Sequence, residues 1–202
     1  MQIDTVVKNL NARRFHAEKF ETNEQLAKAV LSIIGGKSVG IGGSASVREL
    51  GLYESLQQNG NTVYCHTYQA DPAEKKAMRK AAMDADVYLC SANAITESGV
   101  IINTDGTGNR VAATIFGPST VIIVAGVNKL AKDVESGIAR MKRDCCPKNA
   151  KRLGHATPCA ITGTCGECRS SARMCNVTAL TEYPTRHVKD YYVLLSEEPL
   201  GW

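Results

Sequence analysis

Apolar positions along the chain change their period several times. Val6, Val7, Leu10, Phe15 and Phe20 space themselves over residues 4–20 as one face of an amphipathic helix that breaks near His16. Thr22 stands three residues before Gln25, the spacing of a capping box, so a second helix is expected over about 23–34, ending at Gly35-Gly36. SVGIGG at 38–43 is a short apolar run closed by glycines and reads as a buried strand feeding a tight turn. Ser46 precedes Glu49 by three and predicts another helix start, with the helix running to about 58. A strand at 62–66 follows. Asp71-Pro72 combines a capping side chain with proline at the first helical position, and the helix it starts runs to about 84. Residues 87–90 form the next strand.

Strand, helix, strand, helix, strand is the rhythm of an open, mostly parallel α/β sheet with flanking helices. GVIINT and RVAATIF, separated by DGTGN, predict an antiparallel hairpin. VIIVAG at 121–126 is another buried strand, a helix is expected over about 131–143, and TRHVKDYYVLLSEE contains a last strand. Residues 147–186 lose this periodicity and are rich in Gly, Thr, Cys, Arg and Asn. They read as a loop region, organised by something other than an apolar core, within a single domain spanning 1–202.

Composition narrows the function. The 202 residues carry 24 basic and 20 acidic side chains, a net charge of +4, and only 5% aromatics. No basic block is interleaved with aromatics, so nucleic-acid binding has no support. No run reaches the ~18 apolar residues of a membrane span, and the N-terminal MQIDTVVKNLNARRF lacks the apolar centre of a secretory signal. The expected setting is the cytoplasm, which keeps thiols reduced, so the eight cysteines need a role other than disulfides.

Four of them crowd into CAITGTCGECRSSARMC as Cys159, Cys165, Cys168 and Cys175. Four thiolates in one loop supply a complete tetrahedral set, for a 4Fe-4S cluster or, alternatively, for zinc. The two-residue gap between Cys165 and Cys168 lets both sulfurs point inward from one turn, and Gly163 and Gly166 let the backbone curl close to the metal. Only one pair has the C-x2-C spacing, whereas structural zinc sites often use two, which favours iron. Cys145 and Cys146 are adjacent and are not expected to be regular ligands. Cys65 and Cys90 end apolar strands and read as buried small hydrophobes.

Two further segments carry candidate chemistry. GIGGSASVREL sets Gly42, Gly43, Ser44 and Ser46 between a strand and a helix, where backbone N–H groups can receive a small anionic metabolite; a plain tight turn explains them as well. SANAITESGVIINTDGTGNR follows the third strand. Glu97 there is a candidate base or nucleophile, and Asn103 and Asn109 are candidate ligand contacts. The Gly42–Ser46 turn and the 97–109 segment are expected to face one cleft.

GGSASVRELGL, ADVYLCSANAITESGVI and PKNAKRLGHATPCAITGTCGECRSSARMCN together resemble the LUD-domain family, the lactate-utilisation proteins, over about residues 1–195. The last run resembles a small cysteine-bearing subgroup. The resemblance implies a sugar-isomerase/CoA-transferase-like fold and a link to oxidation of lactate or a related hydroxy acid, where sister components carry iron–sulfur clusters. Members act within multi-protein systems, which implies a redox partner protein and leaves self-association open. CoA transferases of similar fold use a glutamate before a glycine-containing turn, and Glu97-Ser98-Gly99 resembles that segment. The alternatives to a redox role are therefore a binding or regulatory module with a structural metal, and an acyl or CoA transferase acting through Glu97.

Overall fold

The computed structural model describes residues 2–69 and 71–202. In chain order the regular elements are α1 (Ile3–Ala12), β1 (His16–Phe20), α2 (Asn23–Ile34), β2 (Val39–Ile41), α3 (Ala45–Glu49), α4 (Leu52–Gln58), β3 (Val63–Cys65), α5 (Pro72–Met83), β4 (Val87–Ser91), β5 (Ala94–Thr96), β6 (Ile101–Asp105), α6 (Asn109–Phe116), β7 (Thr120–Gly126), β8 (Leu130–Ala131), α7 (Val134–Arg140), α8 (Cys146–Arg152), α9 (Pro158–Thr162), β9 (Val177–Thr181) and β10 (Asp190–Ser196). A single π-helical turn, Met141–Cys145, joins α7 to α8.

Six strands form a sheet in the order β1-β10-β7-β4-β2-β3, with every pair parallel. The sheet is covered on both faces, so its central strands are apolar without interruption. Successive residues alternate between two cores. Tyr88, Cys90, Val121, Ile123 and Val193 pack on one side with Val6, Leu10 and Phe15. Val87, Leu89, Ile122, Val124 and Leu194 pack on the other with Leu26, Val30 and Leu56. Full burial of each such side chain contributes roughly 1.5–3 kcal/mol. Gly40 in β2 has a packing role: a Cβ there would stand 2.4 Å from the Ala82 carbonyl oxygen, so α5 lies directly against the strand.

A second, mixed sheet runs β8-β5-β6-β9. β5 and β6 are the antiparallel hairpin, turning at Gly99 with φ +83°. Its place differs from the expectation. RVAATIF is not a strand but helix α6, entered through Gly108 in the left-handed region, with the Asp105 carboxylate accepting from Val111 N at 2.7 Å. The amphipathic spacing of Val111 and Thr114 settles it as a helix once β6 fixes Asp105.

Other boundaries also move. The N-terminal helix ends at Ala12; Arg14 turns the chain at φ +69°, and His16–Phe20 becomes edge strand β1 against β10. An edge strand with this mixed burial carries no clean two-residue alternation. The helix after β2 is capped by Ser44, whose hydroxyl accepts from Val47 N, rather than by Ser46, and Gly51 at φ +61° splits it into α3 and α4. Residues 147–186 are not all loop: they hold most of α8, all of α9, and β9, which completes the second sheet on β6. Thr22 and Asp71 cap α2 and α5 as expected. No helix among the described residues is long and apolar enough to cross a membrane.

Candidate functional site

The C-terminal ends of β2, β3 and β4 open into a cleft of about 540 Å³. Strand ends where the connections diverge are where open parallel sheets bind ligands. The turn after β2 contributes Gly43, Ser44 and Ser46; His66 follows β3; Ser91 ends β4; α6 contributes Asn109 and Arg110; and Cys145, Cys146 and Arg152 come from the helices after β8. Among the described residues, six Lys or Arg side chains line the cleft (Arg48, Lys75, Arg79, Arg110, Lys129 and Arg152) against a single acid, Asp105.

That acid is fully engaged. Arg110 holds Asp105 at 2.7 Å and also donates to the Ser91 carbonyl, the Asn93 side chain and the Thr104 carbonyl. This clamp ties α6 to β4 and β6. The other five cations have no carboxylate within 4.0 Å among the described residues, and none of them takes part in an ion pair there. Lys129 is the most buried of them, 3% exposed, with Nζ donating to Ser46 Oγ at 2.6 Å and Ser91 Oγ at 2.7 Å. Burial, with help from Arg140 and Arg110, pulls its pKa from 10.5 to about 7, while Cys145 and Glu49 pull the other way. Glu49 is itself bound to the Gly201 amide. A lysine near pH 7 in its titration can hold or release a proton at this floor.

The outer part of the cleft is also cationic. Arg152 donates to the Gly43 carbonyl at 3.1 Å and to Asn149, and its pKa is lowered by burial and by Arg48 nearby. His66 is pushed down to about 4, first by burial, then by Arg79, Lys75 and Arg152, so it is neutral at pH 7. Nε of Arg79 is buried without a hydrogen-bond partner among the described residues.

One wall of the cleft is made of thiols. Cys145, Cys146 and Cys175 line it. Behind Cys146 and Cys175 lies a small cavity of about 40 Å³ that Cys165 also lines, together with Glu167 and Arg173. Burial first, then the neighbouring Cys175, Cys145 and Cys165 thiols, push Cys146 up to about 12. The π turn places Cys145 and Cys146 here; such turns gather at functional sites. Cys145 Sγ receives a hydrogen bond from Arg140 at 3.1 Å. The Cys165–Cys168 turn is held by an ion pair between Lys142 and Glu167, the latter at φ +51°.

Three thiols sharing a cavity are a soft donor set that fits a thiophilic metal. The room is that of one small occupant as the side chains stand, and among the described residues no group of three His, Cys, Asp or Glu side chains is closed around a metal position. Cys159 lines neither cavity; it is buried in α9 and within 3.3 Å of Thr157 Oγ1. Cys168 lines neither, and its carbonyl accepts from Arg173. Cys65 and Cys90 are buried at 3% and 0% exposure, as small apolar side chains.

Of the other sequence candidates, Gly43, Ser44, Ser46 and Asn109 meet at the cleft. Gly42 lies just behind it, continuing the β2–β4 ladder through its N–H to Leu89 O. Asn103 is buried and accepts from Asn93 N, a support for the β5–β6 pair. Glu97 does not reach the cleft, so the expectation that the whole 97–109 segment faces it is corrected. Glu97 sits in the β5–β6 turn, where Asn9 donates to its carbonyl and Arg13 donates to that of Ser98, locking the turn onto α1. Lys129, Arg79 and Arg152 were invisible to sequence reasoning, because single basic residues on separate elements leave no motif. The π turn had one weak signal, the Cys145-Cys146-Pro147 run inside a helical stretch.

No curated protein matches this chain. The crystal structure of a DUF162 family protein from Deinococcus radiodurans is similar in fold, with TM-score 0.56 and 13% identity over 96% of this chain and 95% of that one. The LUD domain model matches residues 3–195, nearly the whole length described above, and the chain belongs to the LUD-domain family.

Proposed function

We propose that this LUD-domain protein holds an iron–sulfur cluster on the thiols of Cys159, Cys165, Cys168 and Cys175, and serves as a redox or accessory component in oxidation of lactate or a related hydroxy acid. The observation that carries the reading is a juxtaposition: Cys175, one of these four thiols, lines both the small thiol-lined cavity and the cationic cleft, with Cys146 on the same wall. A cluster held on those thiols would supply single-electron chemistry beside the cleft. The chain's own residues supply the rest. The unpaired cations attract and orient the substrate carboxylate. Lys129, held between Ser46 and Ser91, is the innermost of these cations and is placed to receive that carboxylate. Oxidation of a hydroxy acid releases two electrons and two protons, and a separate redox partner protein would take the electrons.

Anaerobic purification with iron, sulfide and zinc analysis tests this. Coloured protein with iron and sulfide, whose visible spectrum shifts on adding lactate, is the expected result. Colourless protein with one equivalent of zinc would instead make the metal structural and the chain a binding or regulatory module.

A further inference from the structure

The cationic cleft has two poles, and they differ. The inner pole is Lys129, buried between two hydroxyls. The outer pole is Arg79, Lys75 and Arg152 around His66, with Arg48 beside Arg152. The Gly43–Ser46 turn links them: Arg152 bonds the Gly43 carbonyl and Lys129 bonds Ser46.

We infer that the cleft takes a small metabolite carrying both a phosphate and a carboxylate, the phosphate among Arg79, Lys75 and Arg152 and the carboxylate at Lys129. This rests on the reading of the cleft as an anion site and names the substrate class of that site.

Four observations support it. Arg79 Nε is buried without a hydrogen-bond partner among the described residues, and such a group calls for a partner from outside the protein. Four cations gather at the outer pole with no carboxylate paired to any of them among the described residues, and the pKa of Arg152 is lowered first by burial and then by Arg48. A doubly charged phosphate with three acceptor oxygens answers that arrangement, and guanidinium forks match its geometry. His66, neutral at pH 7, can hydrogen-bond a phosphate oxygen without adding charge. Finally, the cleft of about 540 Å³ lies in the range of sites for ligands well beyond a three-carbon acid. One carboxylate, with two oxygens and one charge, would leave one pole unanswered.

Calorimetry on the anaerobically purified full chain, with the metal it carries, tests the proposal using four probes: glycerate, glycerol 3-phosphate, 3-phosphoglycerate and inorganic phosphate. 3-Phosphoglycerate should bind at least about tenfold more tightly than glycerate or glycerol 3-phosphate. Arg79→Met should weaken the three phosphate-bearing probes by about ten- to a hundredfold, the range for a charge-assisted contact, and leave glycerate unchanged. Lys129→Met should weaken glycerate and 3-phosphoglycerate and spare glycerol 3-phosphate. Circular dichroism of each variant reports that it folds. Equal affinity for glycerate and 3-phosphoglycerate, or an Arg79→Met effect as large on glycerate as on the phosphates, would overturn the two-pole assignment while leaving the cleft an anion site. Failure of all four probes on the wild type would overturn both.

Discussion

Replacing Lys129 by methionine removes a buried amine and keeps most of the side-chain volume. The amine titrates at about 7 in the folded protein against 10.5 in an exposed chain, a difference worth about 5 kcal/mol. The sign follows from proton counting. Below about pH 7 Lys129 is charged in both states, and folding bears the whole cost of burying it. Between about pH 7 and 10.5 the unfolded chain binds the proton and the folded chain does not, so wild-type stability rises with pH by about 1.4 kcal/mol per pH unit from this group. Above 10.5 the cost is gone. The variant has no such group, while Arg110, Arg140, Cys145 and Glu49, which face the amine, are present in both proteins. Losing the bonds to Ser46 and Ser91 costs the variant about 1 kcal/mol each at every pH. Lys129→Met should therefore be more stable than wild type by roughly 3 kcal/mol near pH 6, and that advantage should shrink by about 2.7 kcal/mol by about pH 9. Urea unfolding of both proteins at several pH values measures it, with equal m-values as the check that the same transition is compared. A wild-type-to-variant difference that stays flat across this range would mean that the amine is not desolvated, and the account of the cleft floor would fall.

Serine replacements of Cys146, Cys159, Cys165, Cys168 and Cys175, each scored for bound metal after anaerobic purification, should show the largest losses at Cys165 and Cys175, the two proposed ligands that line the small cavity; since Cys146 lines that cavity too, Cys146→Ser losing as much metal as Cys165→Ser would enlist the π-turn cysteine in the site. Glu97→Gln should change anion binding less than twofold, because the β5–β6 turn lies outside the cleft; a larger loss in calorimetry would reopen a nucleophilic role. Thr22→Ala should cost about 1 kcal/mol through loss of the α2 cap, read by thermal unfolding. Gly40→Ala forces a carbon within 2.4 Å of the Ala82 carbonyl oxygen and should cost about 3 kcal/mol; an unchanged unfolding midpoint would show that α5 stands off from β2.

Much of the fold was legible because its signals are local. Thr22 and Asp71 announce their helices by the chemistry of one side chain, and β4 and β7 are unbroken apolar runs because both of their faces are covered. What was missed depends on distant partners. β1 is a strand because β10 is beside it, and its own residues are mixed. DGTGN reads equally well as a hairpin or as the approach to a helix until Asp105 is seen to cap α6. The site divides in the same way. Cysteine spacing is visible in a string, and so is the glycine–serine turn. The chemistry of Lys129 is not, since an amine held by two hydroxyls and paired with no carboxylate among the described residues depends on the segments at the ends of β2, β4 and β7 meeting. Cys146 was set aside on adjacency to Cys145; the π turn, which adds a residue to one helical coil, is what brings both to one wall.

The contact of Gly40 with Ala82 ties the interior of the sheet to the chemistry at its edge. Lys75 and Arg79 are four residues apart on α5, so they project from one side of that helix, and Ala82, one turn further, rests on β2. How far the two cations extend over the cleft is thus set by how closely a helix backbone approaches a strand, about the thickness of one methyl group. A side chain added at Gly40 would act as a shim under the helix, and a residue that never meets the ligand would tune how firmly the ligand is gripped.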